Sequence, residues 1–447
     1  MIHNSQFTIQ KLHRYLFYLL LLFLPTQLGY HWWPGWALVL GRRLDYLSPT
    51  LYVTDILIFL IISFWVTEII HRIVNSELGI LNKIKKLFFS PFTIQYSVFI
   101  LLIIFVPLNI YFAANRMVAF FAWIKILELV ALGVYIVHTK PKLSRIIFPL
   151  SVGVFYSSVI AIIQFLLQHS IGGPLWFFGE RTFTVNTPGI ARVDFNYSLF
   201  SIHYSVFKLR AYATFPHPNV LGGFLAVTLP IIIFNLKFEI FNQKKKFSIF
   251  KTITIILGII ALILTFSRSA WIVAALGGVY VIFKNKKRLF FPVLLFASLI
   301  IFFIGNTFGF QDESVVVRGQ LNAAALSMAR ASPAFGNGLG NFLVQLPDYL
   351  VSRQIYFLQP VHNIYLLLLS EVGIVGVCFI LFLGYIFIKR ELGMVNSELR
   401  KKPKTGLFII QYSLFSILLL GLVDHYPLTL QQGQLMFTIF LSLSLIQ

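Results

Sequence analysis

The chain has 447 residues, of which 58% are hydrophobic and 11% are charged, and its formal net charge at pH 7 is +21. So few polar side chains cannot cover the surface of a soluble protein, and the composition therefore excludes a soluble globular fold. The long apolar runs lack the polar and apolar alternation of a β-barrel, and they predict helices that use lipid as their solvent. The basic residues stand in short clusters between these runs, which predicts membrane topology and argues against nucleic-acid binding.

One crossing of a bilayer takes about 20 apolar residues, and by that measure the chain contains about twelve transmembrane helices. Because no small-residue cleavage site follows the first apolar run, and Trp32, Trp33 and Trp36 come next, that run is interpreted as an uncleaved span with an aromatic belt. We predict an all-α, polytopic membrane protein that forms a single integral-membrane domain over residues 1–447. The predicted spans are 14–34, 52–70, 92–112, 117–137, 146–168, 218–236, 251–267, 269–284, 289–305, 363–388, 406–423 and 428–446.

The basic residues support this layout. With the amino terminus inside, the inner loops hold 24 of the 36 basic residues, as the positive-inside rule requires. Of those 24, 18 are lysine, whereas ten of the eleven basic residues outside are arginine. A planar guanidinium binds phosphate or carboxylate in a bidentate manner, although an arginine can also anchor a helix end at lipid headgroups. The outer arginines therefore include candidate anion-binding residues.

Two long segments are predicted on the outer face. The outer loop 169–217 is rich in aromatic, glycine and threonine residues, and we expect it to lie partly on the membrane surface. The large outer loop 306–362 joins helices 9 and 10, is partly helical, and is predicted to carry part of the active site. It contains an alanine-rich helical stretch at 320–330, a glycine-rich turn at 336–341 and an amphipathic stretch at 342–358. The turn resembles a phosphate loop, but no strand precedes it, which argues against a nucleotide site.

Two arginines stand in polar stretches at helix boundaries on the outer face. Residues 210–219 read RAYATFPHPN, with Arg210 about nine residues before a predicted helix. Asn219 is a candidate cap of that helix, and His217 is either a loop histidine with a structural hydrogen bond or part of the site. Arg268 lies in a short polar hinge between two spans, where the neighbouring hydroxyl groups favour a ligand-facing side chain over a lipid anchor.

Histidine and acidic residues mark two further stretches. His362 stands where a long apolar helix begins, and its near-neutral imidazole suits a general base. Residues 424–427 form the hinge between the last two spans, and Asp424 either caps a turn or orients His362 or an acceptor. Glu371 lies roughly 13 Å farther along the helix, too deep to share a proton with His362, and is predicted to be a buried polar contact. Gly373 would permit close helix packing there.

These stretches and the helix layout resemble the O-antigen ligase and polymerase superfamily, bacterial membrane glycosyltransferases that act on polyprenyl-diphosphate-linked glycans. The resemblance covers about residues 208–376 and includes the FPHPN stretch, the Ser-Arg hinge, the GNGLGNF turn and the His-Asn-x-Tyr helix start, in the family's order. The resemblance implies that Arg210, Arg268 and Arg318 bind the diphosphate, that His362 is the catalytic base, and that His217, Asn219, Asn363 and Asp424 support them.

The implied activity is the metal-independent, inverting transfer of a glycan from a polyprenyl diphosphate carrier to an acceptor hydroxyl. The reaction would take place on the outer face of the cytoplasmic (inner) membrane, where the protein is surrounded by membrane lipids. It would need no cofactor, and its acceptor would be a glycan, a lipid or a protein. The outer segments contain no carboxylate cluster suited to Mg²⁺ or Mn²⁺. A repeat-unit polymerase or a protein O-oligosaccharyltransferase would use the same donor site.

Two alternatives belong to other classes of protein. About twelve spans is also a common number for transporters, but transporters place their substrate contacts near the midplane, whereas the conspicuous polar groups here collect at the outer face. A non-catalytic glycan-binding scaffold would be indicated if Arg210, Arg268 and His362 proved dispensable.

Overall fold

A computed structural model describes residues 11–74, 93–199, 202–241, 248–283, 313–350, 358–398 and 407–446. These parts of the chain are mainly helical, as predicted. The helices are α1 (Leu12–Leu22), α2 (Val53–Val74), α3 (Thr93–Tyr111), α4 (Arg116–Thr139), α5 (Leu143–Leu167), α6 (Pro218–Phe241), α7 (Ser248–Leu264), α8 (Arg268–Phe283), α9 (Glu313–Ala331), α10 (Phe342–Tyr349), α11 (Ile364–Glu398), α12 (Leu407–Leu420), α13 (Tyr426–Thr429) and α14 (Gln431–Ser444). The strands are β1 (Gly29–His31), β2 (Leu38–Val39), β3 (Arg42–Arg43), β4 (Thr50–Tyr52), β5 (Arg192–Leu199) and β6 (Ile202–Leu209).

Within the described residues, five helices are long and apolar enough to cross a membrane. They contain the candidate spans Val53–Val74, Arg116–Thr139, Leu143–Leu167, Pro218–Lys237 and Ile364–Tyr385. Shorter apolar helices accompany them, among them Ser248–Leu264 and Phe408–Leu420. The helices support the predicted helical membrane protein. The count of about twelve spans stays a prediction, and the predicted span 289–305 lies outside the described residues.

The first predicted span, 14–34, is wrong in length. Helix α1 ends at Leu22, and Pro25 follows, which has no N–H with which to continue a helix. Beyond it the chain forms two short antiparallel pairs, β1 with β4 and β2 with β3. Residues 29–52, here called the amino-terminal β segment, therefore lie outside the helices.

The outer segment 169–217 also contains strands, which an all-α prediction omits. Strands β5 and β6 form a hairpin in which Arg192 pairs with Leu209. Ahead of the hairpin, Gly173–Phe178 form a 3₁₀ turn in which Trp176 is 57% exposed. The hairpin ends at Leu209, directly before Arg210.

Helix α6 lies at the centre of the helical core and carries the site's main supports. It packs against α7, α8 and α12, and 72% of its most apolar stretch, which lies within Pro218–Lys237, is buried. Small residues allow the close approach, because a Cβ on Gly222 would lie 2.9 Å from Ala270 Cβ of α8. This packing sets the amino end of α6 beside the amino end of α8.

The large outer loop docks on a break in α11. Gly373 has a φ of +64°, which favours glycine, and this interrupts the helix. The freed N–H groups of Ile374 and Val375 donate to carbonyls of the loop at 2.8 and 3.1 Å. Glu371 is buried and accepts a hydrogen bond from Phe342 N at 3.2 Å, as expected for a structural polar contact.

The helical parts of that loop differ in length from their predictions. The first runs from Glu313 to Ala331 and is longer than the predicted 320–330. The second ends at Tyr349, well short of residue 358, and residues 351–357 lie outside the described part of the chain. The turn at 336–341 has a structural role, since Gly338 N donates to Glu371 O at 3.0 Å.

Candidate active site

Arg210 joins two elements at one end of the helical core. Its backbone N–H donates to Ala191 O at 3.2 Å, which ties it to the base of the hairpin. Its Nε donates to Thr265 O at 2.7 Å and its Nη2 donates to Asn219 Oδ1 at 2.8 Å. Thr265 lies in the hinge that ends at Arg268, the first residue of α8. The guanidinium of Arg210 is therefore fixed between this hinge and the start of α6.

Polar contacts continue from Asn219 to His362. Asn219 Nδ2 donates to Asp424 Oδ2 at 3.0 Å, and Asp424 Oδ1 lies 3.6 Å from His362 Nδ1. That distance exceeds a hydrogen bond, but a carboxylate at this range still orients an imidazole and stabilises its protonated form. Asp424 Oδ1 also accepts from His425 N at 2.9 Å, which fixes the carboxylate. We call Arg210, Asn219, Asp424 and His362 the polar relay.

His362 is held by the cap of α11. The side-chain oxygen of Asn363 accepts hydrogen bonds from Tyr365 N at 2.9 Å and Leu366 N at 3.1 Å, as an N-cap does. The side chain of His362 is 17% exposed, while its Nδ1 is buried and has no hydrogen-bond partner among the described residues. The accessible edge of the ring therefore belongs to its other atoms, and Nε2 is the nitrogen available to a substrate.

The predicted cap of α6 is corrected by the structure. Asn219 is the second residue of the helix, and the cap is His217, whose Nδ1 accepts from Asn219 N at 3.1 Å. The side chain of Asn219 is occupied by the polar relay instead. Burial, followed by the positive charge of Arg210, lowers the pKa of His217 to about 3. A neutral His217 suits a ring nitrogen that accepts a hydrogen bond.

The three predicted arginines come together from different elements. Burial and, to a smaller extent, the charges of Arg318 and Arg268 lower the pKa of Arg210 to about 10. The pKa of Arg268 is also lowered, first by burial and then by the charge of Arg318. Arg268 is exposed, whereas the hydroxyl-bearing Thr265 and Ser267 beside it are buried in the hinge. Arg210 and Arg318 form no ion pair with a carboxylate in the part of the chain that the structure describes.

A carboxylate and a second histidine lie behind His362. Asp424 is 6% exposed and His425 is 5% exposed. Burial alone would raise the pKa of Asp424, but the contact with His362 and the charges of nearby histidines hold it well below its usual range. Burial lowers the pKa of His425 to about 4, against the attraction of Asp424. Asp424 is therefore ionised and His425 neutral at pH 7.

The same residues form the one candidate metal-binding group found among the described residues. His362, Asp424 and His425 each offer a ligand atom, and these atoms lie within 4.8 Å of one another. Nitrogen and oxygen ligands of this kind suit Zn²⁺ better than Mg²⁺. The charge of Arg318 acts on His425 and the charge of Arg210 acts on Asp424, and both oppose a resident cation.

A cavity of about 680 Å³ opens beside the polar relay. Its lining includes Asn219, His362 and Asp424 on one side and the amino-terminal β segment on the other. None of the three arginines at positions 210, 268 and 318 is among the described residues that line it. The site therefore has an arginine side and a cavity side, and His362 lies on the cavity side.

A comparison with protein families identifies part of this arrangement. Residues 253–381 match the model of the O-antigen ligase family. The match supports the resemblance to the O-antigen ligase and polymerase superfamily. No curated protein and no solved structure matches the chain.

We call residues 253–381, which match the family model, the O-antigen ligase segment. It contains only part of the site. Arg268, Arg318 and His362 lie within residues 253–381, whereas Arg210 and Asp424 lie outside them. The structure brings these five residues to one end of the helical core, as the sequence motifs predict. Their roles stay predictions at this point.

Sequence reasoning missed the contribution of the amino-terminal β segment. Tyr46 packs edge-on against His425, with ring centroids 5.4 Å apart, and lines the cavity. The prediction assigned residues 29–34 to the end of the first membrane span and residues 35–51 to the outer loop that follows, and it gave neither part a role at the site. The hairpin β5–β6 did carry a signal, because Val193, Phe195 and Tyr197 alternate with polar residues.

Proposed function

We propose that the protein is an O-antigen ligase-like glycosyltransferase. It moves a glycan from a polyprenyl diphosphate carrier to an acceptor hydroxyl, with inversion at the anomeric carbon. The reaction takes place on the outer face of the cytoplasmic membrane. The family match supports the general activity, and the geometry of the site supports the donor and the base.

The observation that carries the proposal is the group of three arginines beside a histidine. The charge of Arg318 lowers the pKa of Arg210 and the pKa of Arg268, so the three guanidinium groups lie near one another. Arg210 and Arg318 have no carboxylate partner among the described residues, which favours binding of an anion, and a guanidinium suits the oxygens of a diphosphate. The amino ends of α6 and α8 add positive dipole ends at the same place.

His362 completes the chemistry. Its exposed edge takes the proton from the acceptor hydroxyl while the hydroxyl oxygen bonds to the anomeric carbon. The bond between that carbon and the diphosphate oxygen breaks, and its electron pair stays on the diphosphate, which the arginines stabilise. Asp424 stabilises the imidazolium and holds the ring so that Nδ1 faces the carboxylate. No metal step is required by this sequence of events.

The transporter alternative loses support from the charged groups within the helices. Lys125 of α4 contacts Asp55 Oδ1 at 2.5 Å and Glu128 Oε2 at 2.9 Å, so these charges neutralise one another. Glu68 likewise contacts His13 at 2.6 Å and Arg72. Each of these groups has a partner within the protein, as intramembrane charges usually do, so their presence is explained without a transport path.

The test is transfer by the purified protein from a polyprenyl-diphosphate glycan, without ATP, comparing wild type with His362→Ala. Loss of a general base lowers the rate by roughly 10²- to 10⁴-fold. Equal product from both proteins would remove His362 as the base. Absence of product from wild type with every acceptor offered would favour the transporter.

A further inference from the structure

The cavity beside the polar relay lies apart from the three arginines that we assign to the donor, since none of them is among its described lining residues. In an inverting displacement the acceptor approaches the anomeric carbon from the face opposite the leaving diphosphate. The arginines of the donor side do not line the cavity, whereas His362 does. A hydroxyl that gives its proton to His362 must therefore come from the cavity side.

The lining chemistry selects the kind of acceptor. Away from the polar relay, the charged side chains among the described lining residues are Arg43, Arg181, Asp45 and Glu180, two of each sign. This balance contrasts with the arginine group and suits an uncharged ligand. Glu180 accepts from Ile171 N, Gly172 N and Gln164 Nε2, each at 2.7 Å, and its carboxylate is thereby satisfied.

Aromatic and amide side chains dominate the remaining wall. Tyr46, Tyr52 and Trp176 line the cavity, while four of its 27 described lining residues are aliphatic. Gln431 also lines it, and its Oε1 is buried without a partner among the described residues. Aromatic faces with a few placed hydrogen-bonding groups suit a sugar ring, whereas an acyl chain would need an aliphatic wall. The volume of about 680 Å³ lies within the range of about 300–1,000 Å³ for small-molecule sites.

We propose that this cavity binds the acceptor, and that the acceptor is a neutral sugar with a free hydroxyl group. The inference rests on the proposed glycosyltransferase activity. The new glycosidic bond joins the acceptor oxygen to the anomeric carbon of the donor, the hydroxyl proton goes to His362, and the diphosphate leaves with the bonding electrons. The amino-terminal β segment and the turn at Trp176 set the acceptor specificity.

The experiment measures transfer of labelled glycan by full-length wild type, Trp176→Ala and Asp45→Asn. The acceptors are neutral glycans, phosphorylated glycolipids with and without phosphatase treatment, and proteins, all extracted from the cell envelope. Matched controls are Trp32→Ala, since Trp32 is 69% exposed on the same β segment and does not line the cavity, and Asp194→Asn on the hairpin.

We expect label in carbohydrate, with little effect of phosphatase treatment. The KM for the acceptor should rise about tenfold in Trp176→Ala and in Asp45→Asn, with the KM for the donor and the thermal midpoint unchanged. Both controls should match wild type. Label on serine or threonine of protein, or loss of transfer after phosphatase treatment, would overturn the acceptor class.

The same assay distinguishes failure of the cavity assignment from failure of the proposed glycosyltransferase activity. An unchanged acceptor KM in both cavity variants, or a raised donor KM instead, would overturn the assignment of the cavity. Absence of transfer by wild type, or equal transfer by His362→Ala, would refute the glycosyltransferase itself and the acceptor site with it.

Discussion

Asp424→Asn tests whether the carboxylate acts on the base. An asparagine keeps the shape and can still accept from Asn219 Nδ2, as Asp424 Oδ2 does at 3.0 Å. It removes the negative charge that lies 3.6 Å from His362 Nδ1. The imidazolium that forms when His362 takes the acceptor proton then loses the stabilisation that this charge provides. The carboxylate also favours the tautomer of His362 that carries its proton on Nδ1, and an amide group at position 424 does not.

The size of the effect follows from that distance. Two unit charges 3.6 Å apart interact by about 4–5 kcal/mol at an effective dielectric constant of about 20. This energy corresponds to a limit of roughly 10³-fold on the rate of the chemical step. Because the arginines keep their places, the KM for the donor should stay within about threefold of the wild-type value.

The assay is single-turnover transfer from a labelled polyprenyl-diphosphate glycan, with the thermal midpoint measured on the same preparation. Asp194→Asn on the hairpin is the matched control. A variant at position 424 that folds normally and turns over within threefold of wild type would refute the action of Asp424 on His362. A fall in donor binding with an unchanged chemical rate would place Asp424 with Arg210 instead.

Three further expectations concern the arginines, pH and metal ions. Arg210→Lys should lower kcat/KM at least tenfold, since an ammonium cannot contact Thr265 O, Asn219 and a phosphate in the same geometry; a rate near wild type would count against it. Folding lowers the pKa of His217 from 6.5 to about 3 and the pKa of His425 from 6.5 to about 4. As the pH falls, the unfolded chain therefore binds protons at these histidines before the folded protein does. Stability is thus full above pH 6.5 and decreases as the pH falls, by about 2 kcal/mol per histidine at pH 5. Thermal midpoints between pH 7.5 and 5 should show this fall, and His217→Asn should reduce it, whereas a flat profile would contradict the buried neutral rings. EDTA should leave transfer unchanged and micromolar Zn²⁺ should inhibit it, because the ligand atoms of the His362 cluster lie within 4.8 Å of one another; loss of activity with EDTA would refute the metal-free mechanism.

The helices could be predicted because lipid requires a continuous apolar run. The predicted spans 52–70 and 146–168 agree with Val53–Val74 and Leu143–Leu167 to within a few residues. The region after Leu22 could not be predicted in this way. Its strands are two or three residues long, and such short elements leave no periodic signal in hydrophobicity.

The site was predictable where its chemistry is local. Arg268 stands between Ser267 and Ser269, His362 stands directly before Asn363, and both lie at helix boundaries that the sequence marks. The role of Asn219 was not predictable, because its side chain contacts Asp424 across 205 positions of sequence. A capping residue and a bridging residue have the same sequence signal, an asparagine beside a proline, and only tertiary packing distinguishes them.

The origin of the site's residues shows which part of the fold sets its geometry. The O-antigen ligase segment supplies Arg268, Arg318 and His362, while Arg210 and Asp424 come from either side of it. Asn219 of α6 contacts both outside residues, at 2.8 and 3.0 Å. Because α6 is buried against α7, α8 and α12, its position relative to the hinge at Arg268 is fixed by helix packing. The distance between the arginines proposed to bind the diphosphate and the proposed base is therefore set by the buried core, whereas residues 29–52 and 176–182, which contribute to the cavity wall, lie outside the helices of that core. An enzyme built in this way can change its acceptor by changing residues 29–52 and 176–182 without disturbing the donor side.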